Sequence, residues 1–366
     1  MNVANESPAP PRRKMLIMEL WGLGDLTFAT PVIREAQKNF DVTLLGKGYA
    51  RELLHPSFPS VEFIHYDAPW TAYLGKYDLW KWNWGELLRL IFRLRREHFN
   101  IAMSVRNDPR DHLFMWLIGA GERYGYPRHG SRIFLTHPLQ RRQPKQHKVE
   151  DWREIGAAIG LPGMESADPG LRTRGYFSDK VESLFAEITK PVVCLHTGAR
   201  IAVRRWPEEY FGEIIKRLRR HFDFHLVLIP EPDGYGSGLA PLANTFIRKL
   251  SVRELVDVLC RSDLLLCNDS GPAHIAACCG RPAIPIFGPS DPDWFRPWGD
   301  IHKVIIRDIC PWRPCFDYCK FREPHCMTKL LPDTVWPEIQ RHIMHLISDG
   351  ALTSRLMKTE PVFAQT

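Results

Sequence analysis

The chain has 366 residues, 44% of them hydrophobic and 25% charged, an ordinary balance for a folded globular protein and enough length to expect two domains. A formal net charge of +7 points to an anionic partner (nucleic acid, membrane surface or acidic substrate) without choosing among them. No apolar run approaches the roughly 20 residues of a membrane-spanning helix. The nine cysteines, odd in number and scattered, do not look like a secreted disulfide framework.

The N-terminus, MNVANESPAPPRRKM, is polar and Pro-rich and passes directly into a short apolar run containing Glu19. It reads as a frayed leader before a strand rather than a signal peptide, so a cytoplasmic protein is expected. MLIMEL (Met15–Leu20) is continuous, like a strand buried on both faces. WGLGDL follows as a Gly-rich turn, TFATPVIREAQKNF has helical spacing, and DVTLLG is a second buried strand. This strand–turn–helix–strand unit opens a parallel α/β sheet. Similar strand-like runs recur at VEFIHY, NIAMSV and RIFLT, and VEDWREIGAAIGLPG reads as a helix stopped by Gly160 and Pro162. The polar segment MESADPGLRTRGYFSDK predicts a linker, after which the alternation restarts. Strands are expected at PVVCLHTGA, HLVLIP, DLLLCND and PAIPIFG, with helices over PEEYFGEIIKRLRRHF, SVRELVDVLCRS and GPAHIAACCG. Two such sets imply two Rossmann-like domains facing a cleft.

Open parallel sheets bind ligands beyond the carboxyl ends of their strands, and three turns there carry pointed chemistry. In WGLGDL, Gly22 and Gly24 permit close backbone approach, and Asp25 stands where a helix begins, as a cap or as a reactive carboxylate. In HTGARIAVRRWPEEYF, a Gly turn precedes Arg200, Arg204 and Arg205. Arginines there suit a diphosphate, or form a solvated basic loop. In NDSGPAHIAACCG, Asp269 precedes a helix start at Ser270–Gly271, with His274 one turn further on. The free N–H groups and partial positive charge of such a start suit a phosphate. Asp291-Pro292-Asp293 resembles a metal-binding pair, but Asp beside Pro is routine in turns, and no metal is expected.

Cys310, Cys315, Cys319 and Cys326 are spaced more widely than zinc pairs favour, so free thiols are expected. Trp70, Tyr73, Tyr77, Trp80 and Trp84 recur at spacings of three and four beside Lys76, Lys81, Arg89, Arg93, Arg95 and Arg96. The spacing predicts a helical face suited to an anionic membrane surface, or alternatively an aromatic core stripe. Arg106 and Arg110, in RNDPRD, are placed either to hold anionic groups of an acceptor or to form an internal ion pair.

Taken together, GLGD, the G-x5-R-x-W-P of Gly198–Pro207 and D-S-G-x2-H-x-A-A…F-G-P-S-D-P resemble the ADP-heptose:lipopolysaccharide heptosyltransferases, glycosyltransferase family 9. The resemblance runs over most of Met15 to about Leu346, including HKVEDWREIGAAIGLP and KLSVRELVDVL. It implies a GT-B fold, with an acceptor domain over 15–170 and a nucleotide-sugar domain over 186–346. It also implies Asp25 as general base and Ala199, Arg200, Arg204, Leu250, Asp269, Ser270, Gly271 and His274 as donor-site residues. Arg204 stands where relatives usually carry Lys, Ser270 where Thr is common, and Leu250 where an apolar residue borders the adenine. The implied reaction is inverting, metal-free transfer of heptose from ADP-heptose to the lipopolysaccharide inner core, with no cofactor. The acceptor would be an anionic glycolipid, met at the cytoplasmic face of the inner membrane. Two other readings keep the fold: a different nucleotide-sugar or glycan acceptor, or a catalytically silent glycan- or nucleotide-binding relative. No nucleic-acid module is recognisable.

Overall fold

The computed structural model describes residues 11–72, 75–316 and 318–358. The first lobe runs β1 (Arg13–Glu19), α1 (Leu23–Phe28), α2 (Thr30–Asn39), β2 (Phe40–Gly46), α3 (Tyr49–Leu54), β3 (Glu62–His65) and α4 (Trp84–Arg96). It continues through β4 (Ile101–Ser104), α5 (Pro109–Leu117), β5 (Glu122–Gly125), β6 (His137–Pro138) and α6 (Lys148–Ile159). Its six strands form one sheet in the order β3-β2-β1-β4-β5-β6, every pair parallel. β1 lies at the centre because Met15 to Met18 are apolar on both faces and helices cover each.

The second lobe runs α7 (Asp179–Phe185), β7 (Val192–His196), α8 (Glu208–His221), β8 (His225–Ile229), β9 (Thr245–Phe246), α9 (Val252–Arg261) and β10 (Leu264–Asn268). It ends with α10 (Gly271–Cys278), β11 (Ala283–Ile286), α11 (Pro292–Phe295), α12 (His325–Thr328) and α13 (Pro332–Ser348). Its sheet has the order β11-β10-β7-β8-β9 and is again wholly parallel. The two parallel sheets face one another across a cleft in the GT-B fold. Among the described residues no helix is long and apolar enough to cross a membrane.

In each sheet the strand order reverses beside the first strand, between β1 and β4 and between β7 and β10. At such a switch point adjacent loops part and leave a crevice. The segments that follow these four strands carry Asp25, Arg106, Arg204 and Asp269.

Two expectations need correction. RIFLT is not a strand: Gly130 has φ +78°, Ser131–Phe134 forms a single 3-10 turn, and Ile133 is exposed. Only His137–Pro138 pairs, at the sheet edge where a proline is tolerated. The aromatic stretch is not one helix either. Gly75 adopts φ +73°, Pro69–Thr71 and Leu79–Lys81 are isolated turns, and α4 begins only at Trp84, capped by Asn83. Trp70 belongs to the core and donates to Asp111 at 2.7 Å; Tyr73 lies outside the described residues. The linker segment packs on both lobes. Tyr176 is fully buried beside Ser57 of the first lobe, Leu171 N–H donates to Cys278, and Ser178 N–H donates to Asp257 of the second.

The lobes share a buried apolar cluster that includes Leu26, Phe28 and Trp152 from one and Val256, Ala273 and Ile275 from the other. At its edge α1 meets α10. A Cβ on Gly271 would lie 3.2 Å from Leu23 Cβ, and one on Gly24 would overlap the His274 ring, which also meets Phe28 edge-on at 4.8 Å. Gly24→Ala is therefore expected to destabilise the protein by about 1–3 kcal/mol, the usual range for overpacking. Adding His274→Ala should recover much of that loss in a denaturation double-mutant cycle. Strictly additive losses would contradict the contact.

Candidate active site

Asp25 occupies the first turn of α1, and its Oδ2 accepts the Gly22 N–H at 2.9 Å. It is thus a capping carboxylate of its own helix, but it also faces the other lobe. Burial raises its pKa, opposed first by the Gly22 hydrogen bond and then by the charges of Lys148, Arg204 and Arg106. Glu19, at the end of β1, is almost fully buried and accepts the Trp21 N–H at 2.9 Å. Burial and the nearby Asp25 charge push its pKa up to about 8.

The second lobe brings the opposing charges. The turn after β7 ends in a short 3-10 segment, Ala202–Arg204, and Arg204 Nη1 meets Asp269 Oδ2 at 3.3 Å. Ser290 donates to the same carboxylate oxygen. Asn268 knits these loops: its Nδ2 donates to Thr197 O at 2.6 Å and its Oδ1 accepts the Trp206 N–H at 3.0 Å. Ser270 is the N-cap of α10 but its hydroxyl turns back to Asn268 O, so no side chain caps this helix start. Arg200 is exposed and close enough to Lys47 in the first lobe to lower its pKa, second to burial. Ala199 is buried and accepts from Arg205 at 2.8 Å, while Leu250 packs half-buried just before α9.

Beyond β4, a cavity of about 490 Å³ is lined by Trp21, Lys76, Tyr77, Arg106, Arg110 and Arg128, among others. Asp108 and Asp111 neutralise part of this charge. Arg106 is buried, reaches both at 3.3 Å and lies 5.2 Å over the Trp21 ring. Arg110 grips Asp108 with two bonds of 2.9 and 2.8 Å. A larger cavity, about 930 Å³, opens elsewhere between the lobes around Lys145, His147 and Arg296, and none of the catalytic, donor or acceptor candidates lines it.

Residues 87–325 match the model of glycosyltransferase family 9 (heptosyltransferase). The chain belongs to that family. It is accordingly a glycosyltransferase. Lipopolysaccharide heptosyltransferase 1 of Pseudomonas aeruginosa is 23% identical over 363 residues, spanning 90% of this chain and 98% of that protein. The crystal structure of a family 9 glycosyltransferase from Veillonella parvula matches with a TM-score of 0.73 at 16% identity, over 93% of this chain and 100% of that one. An Escherichia coli heptosyltransferase with ADP-2-deoxy-2-fluoro heptose matches with a TM-score of 0.69 at 17% identity, over 90% and 99%.

Within this family 9 enzyme, Asp25, Arg204, Asp269, Gly271 and His274 converge where the lobes meet. Burial, with His147, His302 and Arg204 nearby, lowers the His274 pKa to about 3, so near neutral pH it is an uncharged wedge against Gly24. Its Nδ1 is buried and has no hydrogen-bond partner in the protein. Asp291 caps α11 and pairs with Lys145 at 3.0 Å. Among the described residues no three His, Cys, Asp or Glu side chains are grouped to hold a metal. Sequence reasoning passed over Glu19, Asn268 and Glu231. The last follows β8, and a Cβ on Gly198 would overlap its carboxylate. The signal for Glu19 and Asn268 was available: a polar residue closing an otherwise apolar central strand.

Glu19 makes stability depend on pH. The native state keeps a proton there up to about 8, which the unfolded chain releases near 4.5. Stability therefore falls as pH rises through that window. Glu19→Gln keeps the acceptor for Trp21 and should flatten this part of the curve, gaining most over wild type near pH 9 in urea titrations. An equal change at pH 5 and pH 9 would show that Glu19 titrates normally.

Proposed function

We propose that this family 9 enzyme transfers heptose from ADP-heptose to an anionic glycolipid acceptor of the lipopolysaccharide inner core, by a single inverting displacement without a metal. The relatives' names motivate the sugar, nucleotide and acceptor. The observation that carries the mechanism is Asp25, a half-buried carboxylate in the first turn of α1 where that helix packs on α10, in the field of Arg204. An acceptor hydroxyl attacks the anomeric carbon and loses its proton to Asp25. The bond from that carbon to the diphosphate oxygen breaks, and ADP leaves with the electron pair. Attack opposite the leaving group inverts the anomeric configuration. The leaving diphosphate gains charge, and Arg204, Arg200 and the uncapped N–H groups at Ser270–Gly271 are placed to stabilise it. Ala199 and Leu250 shape the donor pocket, and Asp269 orients Arg204. The basic cavity at Arg106 and Arg110 supports an anionic acceptor beside Trp21.

Asp25→Asn should lower turnover about 10²–10⁴-fold, the usual contribution of a general base, while donor affinity by calorimetry stays near wild type. A loss below about tenfold would reduce Asp25 to a cap. Because burial raises the Asp25 pKa, the acidic limb of the wild-type kcat/KM profile should lie above the ordinary carboxylate range.

Arg204→Ala, assayed in buffer containing EDTA, should weaken donor binding and lower kcat together, because charge on the leaving phosphate grows in the transition state. The loss should be about 3 kcal/mol, comparable with other transition-state charge contacts. Arg204→Lys should restore part of it. A change confined to the acceptor's KM would place Arg204 on the wrong substrate.

A further inference from the structure

Helix α4 is apolar on two faces. Leu87, Leu90, Ile91 and Leu94 are buried in the first lobe's core, at the spacing of one helical stripe. Trp84, Leu88 and Phe92 follow one another at intervals of four and form a second stripe, 47%, 49% and 62% exposed. Ahead of the helix, Tyr77, Leu79 and Trp80 are 72%, 51% and 78% exposed, so the patch continues from the loop onto the helix. Exposed apolar stripes of this length are uncommon on a surface that only meets water.

Charge accompanies the stripe. Arg89, Arg93 and Arg96 follow one another along its flank at spacings of four and three. Arg93 reaches Glu62 at 3.4 Å, whereas Arg89 and Arg96 have no carboxylate partner among the described residues. A flat face of Trp, Leu and Phe beside arginines matches an anionic lipid surface, where rings enter the headgroup boundary and guanidinium groups meet phosphate. Tyr77 and Leu79 also line the basic cavity beside Trp21, Arg106 and Arg110. The patch and the proposed acceptor site are therefore one continuous surface.

We propose that the outer face of α4 with the 77–84 loop docks the enzyme on an anionic bilayer and sets the acceptor cavity at the headgroup layer. This deepens the proposed glycolipid acceptor and rests on it only for the orientation of the cavity. The occupant is a lipid surface rather than a second copy of this chain, because like-charged arginines on two such faces would repel.

The test uses the full chain and a triple variant, Trp80→Ser, Leu88→Ser and Phe92→Ser, all at exposed positions outside the cavity. Co-sedimentation is measured with vesicles of phosphatidylglycerol and phosphatidylethanolamine, and with phosphatidylcholine alone. The wild type should bind the anionic vesicles, less so as salt is raised, and phosphatidylcholine weakly. The variant should lose binding by about tenfold or more. It should also lose transfer to lipid-anchored acceptor while keeping transfer to the delipidated oligosaccharide. Unchanged vesicle binding by the variant, with its melting temperature preserved, would overturn the docking face. So would wild type that ignores vesicles but forms a dimer in light scattering which the variant abolishes. Wild type that binds vesicles through this face yet transfers nothing from ADP-heptose would leave the docking proposal standing and overturn the proposed function.

Discussion

The structure depends on a close approach of two helix starts, one from each lobe. Gly24 and Gly271 carry no Cβ, so α1 and α10 come close enough for His274 to lie on Gly24 and for Leu23 to reach Gly271. A methyl at either glycine would require the backbones to part or their neighbours to shift. Because the start of a helix is its positive end, the approach gathers two such ends around Asp25. The carboxylate is half-buried without being isolated: desolvation favours its protonated form, while the Gly22 N–H and nearby cations favour the ionised one.

Around this contact the charged groups are held in pairs before any substrate arrives. Arg204 meets Asp269, which also takes the Ser290 hydroxyl; Arg106 meets Asp108 and Asp111; Lys148 meets Asp151, itself bound by Arg141. Buried pairs of this kind add little to net stability, since desolvation offsets most of their attraction. What they provide is position. A cation already fixed at the cleft does not reorganise when charge appears on a leaving group, and preorganisation of that sort is where electrostatic catalysis draws its strength.

Much of this arrangement was legible in the sequence, for a physical reason. Buried parallel strands are continuous apolar runs, so their ends are easy to find, and GLGD, the arginine turn and DSGPAH stand at those ends. The polar residue that closes an apolar strand carries the same signal more faintly than these turns do. Glu19 and Asn268 look like strand residues until the sheet order makes β1 and β10 border the switch points. Local periodicity misled where backbone conformation overrode it. Trp70 to Trp84 has helical spacing, but Gly75 in the left-handed region breaks the run and sends Trp70 inward while Trp80 stays outside. The histidine of DSGPAH had a legible place but not a legible protonation state, because its partner across the interface, Gly24, lies 250 residues away in sequence.

The arginine at 204 differs from a lysine in how it can be held. A lysine in that place would offer a single ammonium group, which could satisfy Asp269 or a phosphate at full strength but not both in fixed directions. A guanidinium is a rigid fork, and here one of its nitrogens stands on Asp269 Oδ2 at 3.3 Å. Asp269 in turn is fixed by Ser290 and by its own N–H, which donates to Ile286 O at 3.0 Å. The position of the fork is thus traced back through hydrogen bonds to β11, the outer strand of the second sheet. Charge at the cleft is set by the sheet, and the loop that carries Arg204 need not be rigid in itself.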